Sequence, residues 1–338
     1  MSITFLGSIS VIMQKLKEKN KMAITAAMVK ELREATGAGM MECKKALTES
    51  NGDMDGAIEY LRKNGQAKAE KKASRIAAEG LTRIAQKDDK TAAVVEVNSE
   101  TDFVAQNEKF QNFVAEVAEQ AVNSDAADLD AFMAEPWHVD SSKTVKEALV
   151  EITAVISEKL DIRRFQKVQA ENGVVVGYVH GGGRISVLVE ADTDVVNDDV
   201  KEAVRNVAMQ VAALNPKYVS MNDVSEEVRN HEKEILLAQA VKENEELPEN
   251  KRKPQEIIEK MLIGRLNKEL KEVCLNEQPY VKAADGKQTV AQYLAEVGKA
   301  NGATISIKKF VRFETGEGIE KKQDNFAEEV MQQAGFNK

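Results

Sequence analysis

Apolar positions recur at helical spacing from the first well-formed segment onward. Met28, Val29 and Leu32 predict a helix that Thr25 caps and Thr36-Gly37-Ala38-Gly39 ends. Met40, Cys43 and Leu47 continue that spacing, and Asn51-Gly52-Asp53 breaks and recaps the chain. Met54, Ile58 and Leu61 then mark a third short helix ending near Asn64-Gly65. Residues 22–65 are thus expected to form a three-helix domain whose core is thin enough that it leans on another surface. Residues 66–79 read as a helical linker carrying Lys68, Lys71, Lys72 and Arg75.

Beyond residue 80 the period changes. LTRIAQ and AAVVEVNS predict strands around Asp88-Asp89-Lys90, followed by a helix bearing Phe110, Phe113, Val114 and Val117 and another across 144–160. IRRFQKVQ and VVVGYVH flank Glu171-Asn172-Gly173 and predict a hairpin, because Asn-Gly suits a type I′ turn. Gly181-Gly182-Gly183 turns the chain into ISVLVEA, and Val204, Val207, Ala208 and Val211 mark a further helix. Two long helical arms follow within 224–275. Val224, Val228, His231, Ile235 and Ala238 line the first, and Ile258, Leu262, Leu266, Leu270 and Val273 line the second. Pro248 and Pro254 in the intervening loop force an antiparallel reversal. A short helix at 288–299, a strand at 303–314 and a helix near 324–333 close the chain. The expected class is α+β: the helical domain, a core subdomain over 80–168, a second over 169–223 and 276–315, an inserted helical hairpin over 224–275, and a C-terminal module over 316–338.

The two core subdomains look related. VEVNSETDFV aligns with VLVEADTDVV, placing Thr101-Asp102 on Thr193-Asp194, and the helices that follow align after a one-residue slip. Thr and Asp between a strand and a helix read as turn and cap residues in both copies. The copies differ at Phe103, which stands opposite Val195. A Phe at that turn is either a core residue or an exposed anchor for a partner, and the pattern alone leaves both readings open.

Composition narrows the function classes. The chain has 338 residues, 43% hydrophobic and 30% charged, which excludes a disordered or collagen-like protein. Its 47 basic and 56 acidic residues give a net charge of −9, so broad attraction to nucleic acid or an anionic membrane is not expected. In so acidic a chain the basic linker reads as a solvated helix face before it reads as a phosphate site. Two distant cysteines, Cys43 and Cys274, fit a reducing compartment and no thiol-held metal. Residues 1–13 are apolar but precede the basic QKLKEKNK, the reverse of a secretory signal, and they fall short of a membrane span. With a fresh start at Met22, residues 1–21 are expected to be a dispensable extension. No Walker A loop, HExxH or GxSxG occurs, and His138, His180 and His231 are scattered. These absences leave a spatially assembled site open but make a non-enzyme at least as good a reading as an enzyme. An interaction protein fits the projecting hairpin and the helical domain.

Two segments then carry a resemblance. LREATGAGMMECKKAL (32–47) and EVNSETDFVA (96–105) resemble the two signature motifs of the elongation factor Ts family, the guanine-nucleotide exchange factors of bacterial translation, and the order of modules agrees over residues 22–338. The resemblance implies that the N-terminal helical domain is ubiquitin-associated-like, and that the chain is a cytoplasmic protein that binds elongation factor Tu and promotes GDP release. It implies no cofactor, no metal held by this chain and no direct nucleic-acid or membrane contact. Thr101, Asp102, Phe103 and Val104 match the family's magnesium-displacing turn. Arg33, Met40, Met41 and Lys44 match contacts from the helical domain, Ile156, His180 and Val281 match contacts from the core, and Met331 matches one from the C-terminal module. Met40 and Met41 are adjacent, so both cannot face one helical core; His180, at a strand end, also reads as a half-buried turn residue. The departures are residues 1–21, Gln106 in the second motif, and the long loop NEELPENKRKP between the arms. Homodimerisation through the hairpin is a further use that the reading leaves open, and a protein-binding adaptor without exchange activity is the alternative function.

Overall fold

A computed structural model describes residues 24–284 and 286–320. The expectations for residues 1–21, for the helix near 324–333 and for Met331 lie outside the described residues.

Three helices open the described chain: α1 (Ala26–Thr36), α2 (Met40–Glu49) and α3 (Met54–Lys72). Thr25 caps α1 by accepting from the Met28 N–H, and Asp53 caps α3 by accepting from Gly56. Leu32, Cys43, Ala46 and Leu47 are fully buried between them. Met40 is not part of that core: it sits at the first position of α2 and is 58% exposed, so the stripe runs through Cys43, Ala46 and Leu47 instead. The third helix also passes straight through Asn64-Gly65. Gly65 is buried against Val150 and Ala154, so α3 continues along a helix of the core instead of ending there. The basic cluster beyond it is engaged in pairs, Lys68 with Glu42 and Arg75 with Glu100.

The core consists of two three-stranded antiparallel sheets. The first contains β1 (Glu79–Gln86), β2 (Thr91–Ser99) and β5 (Leu160–Gln169) in the order β1-β2-β5. Between β2 and β5 run α4 (Asp102–Ala105), α5 (Glu108–Asn123), α6 (Leu129–Ala134), the small pair β3 (Pro136–Trp137) and β4 (Asp140–Thr144), and α7 (Val145–Ile156). The second sheet contains β6 (Val174–His180), β7 (Ile185–Thr193) and β8 (Ile305–Glu314) in the order β6-β7-β8, with α8 (Asp198–Leu214), α9 (Glu226–Glu245), α10 (Gln255–Val273) and α11 (Val290–Asn301) inserted before β8. Each half is a strand hairpin, helices and a returning third strand beside the central one. The aligned segments thus occupy equivalent central strands.

The sheets pack face to face, with a helical layer on each outer side. Ala93, Val95 and Val97 face Phe110, Val114, Val117 and Leu149, whereas Ala92 and Val94 of the same strand meet Leu188, Val311 and Phe313 of the other sheet. With both faces covered, all nine residues of β2 are buried, which explains its nearly unbroken apolar run. On the far side Val187, Val189 and Ala191 pack against Val204, Val207 and Val211.

Two expectations about pairing and phase fail. The strands flanking Asn172-Gly173 do not form a hairpin: β5 pairs with β2, and β6 pairs with β7. The N–H groups of Ala170 and Val175 instead donate to the carbonyls of Lys90 and Asp89, so the connection straddles the β1–β2 turn and crosses between sheets. Gly173, at φ +91°, is needed there because a Cβ would come within 2.2 Å of the Ala191 carbonyl oxygen. The hairpin α9–α10 is antiparallel as expected, and Ile258, Leu262 and Leu270 are buried on α10. On α9, however, Leu236 is buried while His231, Ile235 and Ala238 are exposed. The consecutive apolar residues Ile235-Leu236-Leu237-Ala238 give the helix no single phase.

The hairpin is rooted at one point. Lys217 N–H donates to Val273 O at 2.8 Å and Leu275 N–H to Tyr218 O at 2.9 Å, over a small cluster of Val224, Leu270 and Cys274. Burial, with help from Glu277, pushes the Cys274 thiol up to about 11, and burial also raises Cys43. Neither is a ready nucleophile.

Candidate partner-binding site

The segment after β2 is built so that one apolar residue points in and the next points out. Within the single turn of α4, Val104 is buried in the first core, and the adjacent Phe103 is thereby turned outward to 81% exposure. The core reading of Phe103 is thereby excluded. An aromatic ring held out in water in this way is available to a partner surface. Asp102 beside it is exposed as well.

The turn is held rigidly from behind. The Glu158 carboxylate accepts from the Thr101 N–H at 3.0 Å and from its hydroxyl at 2.8 Å, and Ser99 Oγ donates to the Thr101 carbonyl at 2.9 Å. Thr101 therefore does not cap the following helix, as its position had suggested. The side-chain caps come later: Asn107 caps α5 by accepting from the Lys109 and Phe110 N–H groups, and Asn197 caps α8 by accepting from the Val200 N–H.

Within β2 itself lies a buried carboxylate. Glu96, fully inaccessible in β2, accepts from Arg164 Nε at 2.6 Å, Arg163 Nη1 at 3.0 Å and the Gly316 N–H at 2.8 Å. Arg164 also reaches Glu317 and lies 4.2 Å over the Phe313 ring. The cluster joins the first sheet to the chain leaving β8 in the second. One acidic residue inside an apolar strand was the visible sign of it; nothing nearby in sequence signalled Glu158.

The helical domain reaches the same neighbourhood. Gly37, between α1 and α2, lies against Val155 at the carboxyl end of α7, one residue before Ile156 and three before Glu158. Arg33 and Met40 flank that turn and are exposed, as are Met41, at 74%, and Lys44. Both methionines are therefore uncovered, not just one. Ile156 is half-buried and packs partly on the first core. His180 is exposed rather than half-buried. It pairs through Nδ1 with the Tyr178 hydroxyl at 3.0 Å, and its turn is tied to β1 by two hydrogen bonds from Thr82 to the Gly183 carbonyl. Val281 is 50% exposed but belongs to another neighbourhood, held by the Gln210 side chain of α8.

A cleft of about 1100 Å³ between the helical domain and α7 is lined by side chains of both charges, and no candidate contact residue lines it. Among the described residues no group of three or more His, Cys, Asp or Glu is arranged to hold a metal ion, and no helix is long and apolar enough to cross a membrane.

Comparison with known proteins fits such an architecture. Residues 100–317 match the model of the family described as elongation factor TS. The chain is 54% identical over 311 residues to elongation factor Ts of Clostridioides difficile (strain 630), covering 92% of this chain and 98% of that one. It is 50% identical over 311 residues to elongation factor Ts of Clostridium novyi (strain NT), with the same coverage. By class this is a translation elongation factor. The chain belongs to the elongation factor Ts family.

Proposed function

We propose that this protein is a guanine-nucleotide exchange factor that binds elongation factor Tu in the cytoplasm and speeds release of its GDP. The exposure of Phe103 on a turn fixed by Thr101 and Val104 carries the reading. An exchange factor makes and breaks no covalent bond. It binds the nucleotide-free partner more tightly than the loaded one, and by reciprocity it weakens nucleotide binding by the same factor. A rigid aromatic group suits that task, because inserting it beside the partner's magnesium site favours the state from which the ion and GDP have gone. Asp102, next to it, adds a negative charge where the partner must hold phosphate and metal.

Arg33, Met40, Met41, Lys44 and Ile156 extend the contact as an affinity-giving flank, with His180 on the adjoining turn. The test is to load elongation factor Tu with fluorescent GDP, add the protein and chase with unlabelled GDP. Accelerated loss of fluorescence supports the reading. Binding without acceleration would leave an adaptor instead.

The flank makes a separate prediction. Replacing Met40 and Met41 together by alanine is expected to weaken the complex by about 1–3 kcal/mol, the usual range for truncated anchors. Both side chains are exposed, so folding should be unaffected. At saturating protein the maximal release rate should return to the wild-type value. Titration of the rate against protein concentration checks this, and a rate that stays low at every concentration would make the helical domain part of the release step.

A further inference from the structure

The two copies of the repeated unit join their central and third strands differently. In the second copy, Asp194 performs the joining: its Oδ1 accepts from the N–H of Thr304, the residue just before β8. Its neighbour Thr193 turns inward on its own segment, bonding the Val195 carbonyl. In the first copy, the residue just before β5 is Lys159, and its N–H is held at 2.5 Å by Glu100. Glu158 returns the bond by holding both donors of Thr101. Each carboxylate thus secures the backbone beside the other. Arg75, from the end of the helical linker, closes the set by donating to both oxygens of Glu100 at 3.2 and 3.3 Å. The Asp at the position of Asp194 is thereby released from structural duty: Asp102 is exposed, next to Phe103.

We infer that Glu158 is a positioning residue for exchange. Through Thr101, the reciprocal Glu100–Glu158 clamp presets the turn that projects Asp102 and Phe103, so that no ordering of the turn is left to the encounter. This rests on the exchange reading above.

A double-mutant cycle on the full chain tests it. Glu158→Ala is expected to lower the maximal GDP-release rate about tenfold, with a much smaller change in complex affinity. That is less than the ~100-fold that a misplacement of about 1 Å can cost, because Ser99 and the buried Val104 still hold the turn. Glu158→Gln, which keeps one acceptor oxygen, should recover part of the rate. In a Phe103→Ala background Glu158→Ala should change the rate less than about twofold, since its effect passes through the absent ring. Equal factors in both backgrounds would overturn the inference. Should Glu158→Ala fail to fold, Thr101→Val removes only the hydroxyl bond and runs the same cycle with a smaller factor. Amide hydrogen exchange at Thr101 separates this inference from the function it rests on. Lost protection in Glu158→Ala is expected even if the wild type proves inert toward GDP release, which would sink the exchange reading. Unchanged protection would sink the clamp itself.

Discussion

Phe103→Val is expected to slow GDP release by one to three orders of magnitude while leaving the melting temperature within about 2 °C of wild type. The stability half follows from exposure. A side chain that is 81% accessible contributes little intramolecular packing, and such surface substitutions usually stay within about 0.5 kcal/mol. A core phenylalanine behaves differently, because its truncation leaves a cavity and typically costs several kcal/mol. The rate half follows from differential binding: losing one to three decades corresponds to about 1.4–4 kcal/mol, the range of a central interface anchor. The repeat supplies the control. Valine is what the second copy carries at Val195, so the variant rewrites the first turn toward the second. Val195→Phe should create no second exchange site, because that turn lacks the carboxylate clamp and its Asp194 is already engaged. Melting and release measured side by side decide the matter. A Phe103→Val protein that melts early and exchanges normally would remove the ring from the mechanism.

The second large effect is on stability. Glu96→Ala deletes a fully buried carboxylate that holds Arg163, Arg164 and the Gly316 N–H. Removing one partner of a buried ionic cluster costs about 3–5 kcal/mol, because the remaining charges keep their desolvation and lose their compensation. The two arginine side chains retain roughly a third of their accessibility, which favours the lower end, about 3 kcal/mol. At ~2–4 °C per kcal/mol for a large domain, the melting temperature should fall by on the order of 6–12 °C. Glu96→Gln should fall by less, since an amide oxygen still accepts from Gly316. Calorimetry of the three proteins tests the ordering, and a drop below about 2 °C for alanine would mean that the arginines rehydrate without penalty.

What was legible in the sequence, and what was not, divides along the reach of each interaction. Alternation and turns are local, so the six strands of the two main sheets, most of the helices and the repeat could be read directly, whereas the short pair β3–β4 could not. Asn172-Gly173 announced a turn truthfully, but whether its flanking strands pair depends on β2 and β7, which are distant in the chain. The phase of α9 failed where four adjacent apolar residues offered it two faces. Met40 continued the spacing but stands at the first position of α2, at the open end of the helix and clear of the three-helix core. Phe103 stayed undecided until Val104 was seen to occupy the inward direction. Glu158 had no sequence signal at all, since its partner Thr101 lies four helices and two short strands earlier in the chain.

The rooting of α9 and α10 at Tyr218 and Val273–Leu275 has a consequence for how the chain can vary. Entry and exit are stitched together by backbone hydrogen bonds, so the body experiences the arm as a closed stub. Loop-closure entropy changes only logarithmically with what lies beyond that stub. Turns of helix can be added to or taken from both arms in matched pairs without altering any contact of the two sheets. Arm length is therefore a free parameter of this architecture, open to change between relatives while the surface around Phe103 is held constant.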